Sequence, residues 1–372
     1  MKVGSILSRV TTGVAVCVLV NTLGVPPVYA DQLRSAQWYL TALNVAEAQR
    51  ITKGAGVTVA VIDSGVLAKH QDLAGAVLPG RNVLGDGGDG RRDTVGHGTQ
   101  MAGIIAARGR RGSRGILGIA PAAKILPVVP ASDSAFVAEG INWSVAHGAK
   151  VISMSFGVPG SNDLAAAVKA AAAADVVLVA SSGNDGRGRA GYRYPAAYPE
   201  VLTVGAVDRK GKVAAFSTKG AEVRITAPGV GIAVADGEKQ NAYAIVDGTS
   251  PATAMVSGAA ALIRAKYPEL SAAEVVERLT STAIDRGPPG RDDSYGFGEL
   301  DLMAALTAKL PTAKPSPSAP NSAVVPTPPV AQPEPDDSDS GIPPLLIIGV
   351  GLVLLVAAGV VLLVRVRKSR DA

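Results

Sequence analysis

Three short segments of this chain combine the residue types that acyl-transfer chemistry uses. The apolar run 57–62 leads directly into Asp63-Ser64-Gly65, which puts a carboxylate at the carboxyl end of a strand. Taken alone, that aspartate is also explained as a turn or helix-cap residue. Gly96-His97-Gly98-Thr99 follows and opens the apolar stretch Met101-Ala102-Gly103-Ile104-Ile105. Its glycines allow backbone or substrate to approach the imidazole closely. The other two histidines have structural readings: His70 lies in the polar turn 69–72, and His147 caps the carboxyl end of a helix before Gly148. The third segment, Asp247-Gly248-Thr249-Ser250, precedes the helical stretch 251–261. Its Ser250 hydroxyl stands at a helix amino terminus, where the dipole favours developing negative charge. An N-cap serine is the competing reading of that position. A hydroxyl nucleophile, an imidazole base and a carboxylate that orients the base are the parts of nucleophilic acyl transfer.

The elements that must position these groups alternate along the chain. The runs 57–62, 124–129, 151–154, 176–180 and 201–204 read as buried strands. The stretches 98–107, 135–147, 164–174, 251–267 and 272–282 read as helices. Such alternation predicts an α/β fold with a mostly parallel sheet between helices, and its chemistry at the carboxyl ends of the strands.

Composition separates this body from its ends. The chain has 372 residues, 47% of them hydrophobic, which excludes a disordered polymer, and a formal charge of +5 that raises the question of a nucleic-acid partner. The charge belongs to the ends, with Lys2 and Arg9 at one and Arg365, Arg367, Lys368 and Arg370 at the other, so no nucleic acid is expected. Lys2 and Arg9 flank the apolar stretch 10–20 ahead of Val28-Tyr29-Ala30, which reads as a signal peptide over residues 1–30. A retained amino-terminal anchor is the alternative. The single cysteine, Cys17, falls in this segment, so the exported chain is expected to carry no disulfide. Nine prolines crowd residues 310–341, a composition that cannot build a core and reads as a disordered stalk. Residues 345–364 carry no charge and are long enough to span a bilayer, so a transmembrane helix is expected over 342–364. The basic tail 365–372 then places the carboxyl terminus in the cytoplasm and residues 31–309 outside it.

Together, Val61-Ile62-Asp63-Ser64-Gly65, Gly96-His97-Gly98-Thr99 and Gly248-Thr249-Ser250 resemble the signatures of the subtilisin-like serine proteases, whose triad follows the order aspartate, histidine, serine. The resemblance covers residues 33–309. It implies a three-layer subtilisin-like fold and a serine endopeptidase in which His97 is the base, Asp63 its orienting carboxylate and Ser250 the nucleophile. It also implies that Asn184, in Ser182-Gly183-Asn184, supplies the side-chain amide of the oxyanion hole. Met154-Ser155-Phe156-Gly157 resembles the family's edge segment that pairs with an extended substrate. Ser155, Phe156, Gly157, Ser181, Ser182 and Gly183 would then border a mainly neutral specificity pocket. No cofactor or metal is assigned: calcium occurs in the family, but Asp72, Asp86 and Asp89 read as solvated loop carboxylates. The chain departs from the family pattern at Pro251 and Ala254, where an apolar residue and a proline are usual, and at Gln100, often histidine. Pro251 is tolerated in a first helical turn but should push Ser250 towards an extended backbone.

Only about 26 residues separate Asp31 from Val57, too few for the propeptide of most secreted subtilisins. With Gln37-Trp38-Tyr39-Leu40, the stalk and the single carboxyl-terminal anchor, the chain resembles mycosins, the membrane-anchored subtilisins of actinobacterial type VII secretion. That resemblance implies protein or peptide substrates, a single-pass cell-membrane location and association with the secretion membrane complex. A general cell-surface protease and a mainly structural partner of that complex are the open alternatives.

Overall fold

A computed structural model of the chain describes residues 30–309, apart from 84, 86, 111–113, 131–132 and 187–192. The expected signal segment up to residue 29, the stalk, the membrane-spanning segment, the basic tail and Asp86 lie outside the described residues. Among the described residues, no helix is long and apolar enough to cross a membrane.

In chain order the elements are α1 (Ala30–Ala36), α2 (Trp38–Ala42), α3 (Val45–Ile51), β1 (Thr58–Ile62), β2 (Arg81–Asn82), α4 (His97–Ala106), β3 (Arg108–Arg110), β4 (Arg114–Leu117), β5 (Lys124–Val129) and α5 (Ser134–Ala146). There follow β6 (Val151–Met154), α6 (Asn162–Ala173), β7 (Val177–Ser181), β8 (Val201–Val207), β9 (Val223–Pro228), β10 (Ile232–Ala235), β11 (Tyr243–Val246), α7 (Thr249–Lys266), α8 (Ala272–Ser281) and α9 (Leu302–Thr307). All five expected strands and all five expected helices are present, with ends shifted by at most three residues. Helices begin where local chemistry satisfies their first N–H groups. The Asp133 side chain accepts from Ala135 N, the Ser161 side chain accepts from Leu164 N, and Ser271 with Glu274 forms a capping box.

Seven strands form one parallel sheet in the order β2-β5-β1-β6-β7-β8-β9. The alternation of side chains along a strand divides the core in two. Val59 and Val61 of β1 face one cluster while Ala60 and Ile62 face the other, and β7 divides likewise. Helices α4, α7 and α8 cover the first face, and α5 and α6 cover the second. Burial on both faces explains why these strands read as continuous apolar runs.

Helix α7 runs under the sheet, and every residue from Thr249 to Arg264 is buried. Its small residues permit this: a Cβ added at Gly258 would lie 2.7 Å from the Ile119 Cβ. A helix enclosed this way holds its amino terminus rigidly, and that terminus carries Ser250.

Residues 30–51, for which no element was expected, form α1 to α3 and wrap the α/β body. Arg34 donates to the Gly115 carbonyl, Gln37 to the Leu117 carbonyl, Trp38 to the Val230 carbonyl and Gln49 to the Gly118 carbonyl. Tyr39 is wholly buried among them, and burial drives its hydroxyl pKa far above the ordinary tyrosine value despite the Gln37 amide.

The turn 69–72 corrects two expectations. His70 and Asp72 are fully buried rather than solvated. His70 packs edge-on against Tyr243 at 5.6 Å, with its Nε2 3.1 Å from the Ala242 carbonyl. Asp72 accepts from Ile116 N at 2.9 Å and from the Tyr243 hydroxyl at 2.8 Å. The β10-β11 hairpin, not anticipated from sequence, closes over this turn and removes it from water. Asp89 is exposed as expected, and its pKa is held low by the adjoining Arg91 guanidinium.

Candidate active site

The sheet order reverses direction at β1, which lies between β5 and β6, and ligands of such sheets bind at the carboxyl ends of the strands near that point. Asp63 follows β1, Ser155-Phe156-Gly157 follows β6, and Ser182-Gly183-Asn184 follows β7, so three neighbouring strands deliver the sequence-derived residues to one edge. From the covering layer, α4 and α7 bring His97 and Ser250 in their first turns.

Asp63 and His97 meet directly. His97 Nδ1 lies 2.8 Å and 2.9 Å from the two carboxylate oxygens of Asp63, a carboxylate only 9% exposed. The carboxylate also accepts from Ser64 N at 2.7 Å. These contacts assign the Nδ1 proton to the Asp63 side and leave Nε2 with a free lone pair in the neutral ring. Burial pushes the His97 pKa down, but the hydrogen bond and charge of Asp63, with the further charge of Asp93, outweigh it and set the pKa above the ordinary histidine value.

Close approach of α4 to the β1 loop makes this contact possible. A Cβ at Gly98 would lie 2.1 Å from the Gly65 carbonyl oxygen, and one at Gly237 would lie 2.0 Å from the Gly96 Cα. Gly96 itself adopts φ 93°, the left-handed turn that delivers His97 into the helix.

Asp93 was not among the residues expected at the site, yet it organises this corner. Its Oδ1 accepts from Gly96 N at 2.7 Å and Val95 N at 3.1 Å, and its Oδ2 accepts from Thr99 N at 2.9 Å and Thr99 Oγ1 at 2.6 Å. The Ser64 hydroxyl lies 2.9 Å from Asp93 Oδ1 and 3.2 Å from Asp63 Oδ1, while accepting from Gly98 N at 3.0 Å. A hydroxyl has one proton, so the shorter contact assigns it to Asp93, and Ser64 links the two carboxylates. An acid just upstream of a helix start is the only sequence signal for Asp93.

Ser250 lies in the first turn of α7, which corrects the expectation of an extended backbone there. Its neighbour Pro251 occupies a position whose missing N–H costs no intrahelical bond, and burial of α7 outweighs the local preference of the residue before proline. Ser250 Oγ lies 3.4 Å from the Ser155 carbonyl, and among the described residues no hydrogen bond joins it to His97. The hydroxyl must leave the Ser155 carbonyl to meet an imidazole partner.

Asn184 is held by its carbonyl oxygen, which accepts from Thr249 N at 2.8 Å and Thr249 Oγ1 at 2.9 Å. That tether orients the amide group and leaves its Nδ2 donors for a ligand beside the Ser250 N–H, which belongs to the first four, unpaired donors of α7. Two such donors converging beside a serine hydroxyl can stabilise an oxyanion.

Two cavities meet along Ser155-Phe156-Gly157. One, of about 340 Å³, contains Asp63, Ser64 and His97, and the other, of about 210 Å³, contains Ser181, Ser182, Gly183, Asn184 and Ser250. All ten sequence-derived site residues thus line this cleft, and none of its lining residues comes from α1 to α3. The expectation of a neutral pocket is corrected by Arg193, which lines the smaller cavity. It lies 57 positions from Ser250 in the chain, and no local pattern marks it.

Known proteins share the fold that carries this cleft. A model described as the subtilase family matches residues 54–298. Subtilisin DY of Bacillus licheniformis is 39% identical over 292 residues, covering 76% of this chain and 97% of the relative. Among solved structures, MycP1 with its N-terminal propeptide removed superposes with a TM-score of 0.67 at 30% identity, covering 74% of this chain and 98% of that one. MycP1 from the ESX-1 type VII secretion system gives 0.63 at 29% identity, covering 74% and 86%.

Proposed function

The chain belongs to the subtilase family of serine endopeptidases, and we propose that Asp63, His97 and Ser250 form its triad and that it acts at the outer face of a membrane, beside a type VII secretion complex. The observation that carries the chemistry is the doubly contacted His97–Asp63 pair in a cleft that also holds Ser250 and a pre-oriented Asn184.

An extended peptide lies along Ser155-Phe156-Gly157 with its scissile carbonyl over Ser250. The Ser250 hydroxyl turns from the Ser155 carbonyl to His97 Nε2, gives up its proton there and attacks the carbonyl carbon. Asp63 holds the ring with Nδ1–H towards the carboxylate and stabilises the imidazolium. Asn184 Nδ2 and Ser250 N receive the developing oxyanion. His97 returns the proton to the leaving amine, and water then hydrolyses the acyl-enzyme by the same steps. No cofactor takes part in this scheme.

The membrane placement rests on the sequence: signal segment, proline-rich stalk, uncharged span and basic tail. Similarity to MycP1 from the ESX-1 type VII secretion system supports the secretion link.

The chemistry is tested on the detergent-solubilised full chain with a fluorophosphonate probe and peptide substrates. Wild-type protein should label and hydrolyse, and Ser250→Ala should do neither while its thermal unfolding is unchanged. Labelling that survives in Ser250→Ala would remove Ser250 as nucleophile. Placement is tested in intact cells with a membrane-impermeant maleimide: Ser318→Cys should react and Asp371→Cys should not, and the reverse pattern would overturn the orientation.

A further inference from the structure

The smaller cavity differs from a neutral pocket in one way. Arg193 lines it alongside Ser250, Asn184 and Gly157, so a cationic residue borders the space beside the serine hydroxyl.

Arg193 is held in place. Tyr194 pairs with Val158 through Val158 N to the Tyr194 carbonyl at 2.8 Å and Tyr194 N to the Val158 carbonyl at 3.3 Å, which fastens the segment next to the Ser155-Phe156-Gly157 edge. The Arg193 carbonyl accepts from Ala197 N at 2.9 Å. One guanidinium nitrogen donates to Glu222, and the other donors of the fork remain for a ligand. Glu222 does not line the smaller cavity. A second cavity of about 610 Å³ shares Arg193 and is lined also by Glu222, Arg224 and Arg291. With Asp293, 4.0 Å from Arg291, the cluster holds three arginines, Arg193 included, against two carboxylates.

Resting on the proposed peptidase activity, we propose that this pocket selects an acidic side chain, glutamate or aspartate, at the residue whose carbonyl is attacked. The substrate carboxylate accepts from the Arg193 guanidinium in a charge-assisted hydrogen bond. The Arg193 side chain is 48% exposed, so the preference should weaken as salt is raised.

The test compares kcat/KM of the solubilised full chain on matched peptides with glutamate, glutamine, alanine or lysine at that position. Wild-type protein should favour glutamate over glutamine by roughly tenfold at low salt, within the range of a charge-assisted hydrogen bond. Arg193→Gln should bring the ratio to about one, and Arg193→Glu should invert it in favour of lysine. Each ratio is read within one variant, so a loss of rate common to all substrates cancels. Cleavage of the alanine and glutamine peptides without glutamate preference, or a preference that survives Arg193→Gln, overturns the pocket assignment alone. Failure to cleave any peptide removes the proposed activity and this inference with it.

Discussion

Replacing Asp93 by asparagine separates positioning from chemistry at this site. Asp93 touches no reacting atom, yet its carboxylate receives five donors and adds to the charge that raises the His97 pKa. Through the Ser64 hydroxyl, the Ser64 N–H and Asp63 it is three hydrogen bonds from His97 Nδ1. Removing the Asp93 charge should lower the His97 pKa. The direction follows from the charge: a carboxylate favours the imidazolium, and its removal favours the neutral ring. Catalysis needs the neutral base, so the acid limb of the kcat/KM profile should move to lower pH. An amide offers one acceptor oxygen where the carboxylate offers two, so some of the five donors must face an NH2 group. The resulting shift of the α4 amino terminus should lower the plateau rate about ten- to hundredfold. The assay is a pH series of peptide hydrolysis, with circular dichroism to show that the variant is folded. A limb that stays in place or moves to higher pH in a folded variant would refute the coupling through Ser64 and the role of Asp93.

Asn184 should separate tethering from oxyanion binding: Asn184→Asp keeps the acceptor for Thr249 but replaces the free donor, so kcat should fall by about 10²–10³ with little change in thermal stability, a magnitude established on a subtilisin. Unchanged kcat in that variant would exclude the amide from the oxyanion hole. Gly98→Ala should lower kcat/KM and stability together, because its Cβ cannot share space with the Gly65 carbonyl 2.1 Å away, and parallel kinetics and unfolding would show both losses. Asp175→Ala should destabilise the chain by about 2–3 kcal/mol at pH 7 in denaturant unfolding, because it strips the 5%-exposed Arg264 of its counter-charge, with the half-exposed carboxylate tempering the loss. Burial raises the Asp175 pKa, but Arg264 and the Ala272 N–H outweigh it and hold the pKa low. The stabilisation is therefore present above the unfolded-state value near 4 and lost as pH falls through the folded value, so the gap between wild type and variant should narrow at about pH 3. A constant gap would exclude the ion pair as the cause.

The alternating elements and the triad segments were legible because each is local. Strand 57–62 reads as a nearly continuous apolar run since both faces of β1 are covered, and an aspartate, histidine and serine each sit in their own recognisable glycine-bearing segment. Helices α1 to α3 were not legible, because their short lengths leave little periodicity and their burial depends on β4 and β10. The same holds for His70 and Asp72, polar residues of a turn whose covering side chain, Tyr243, lies more than 170 positions away.

By itself the sequence determined the α/β class, the order of Asp63, His97 and Ser250, the residues of the substrate edge, and the hydrophobic and charged ends that argue for a membrane tether. These follow from period, propensity and short-range spacing, which a chain carries before it folds. The tertiary structure alone decided that Ser64 bridges Asp63 to Asp93, that Thr249 turns the Asn184 amide, and that Arg193 enters the pocket beside Ser250. Each of these joins side chains from different elements, and a hydrogen bond or a pocket charge acts through distances of a few ångströms that only packing of the sheet and its two helical layers establishes.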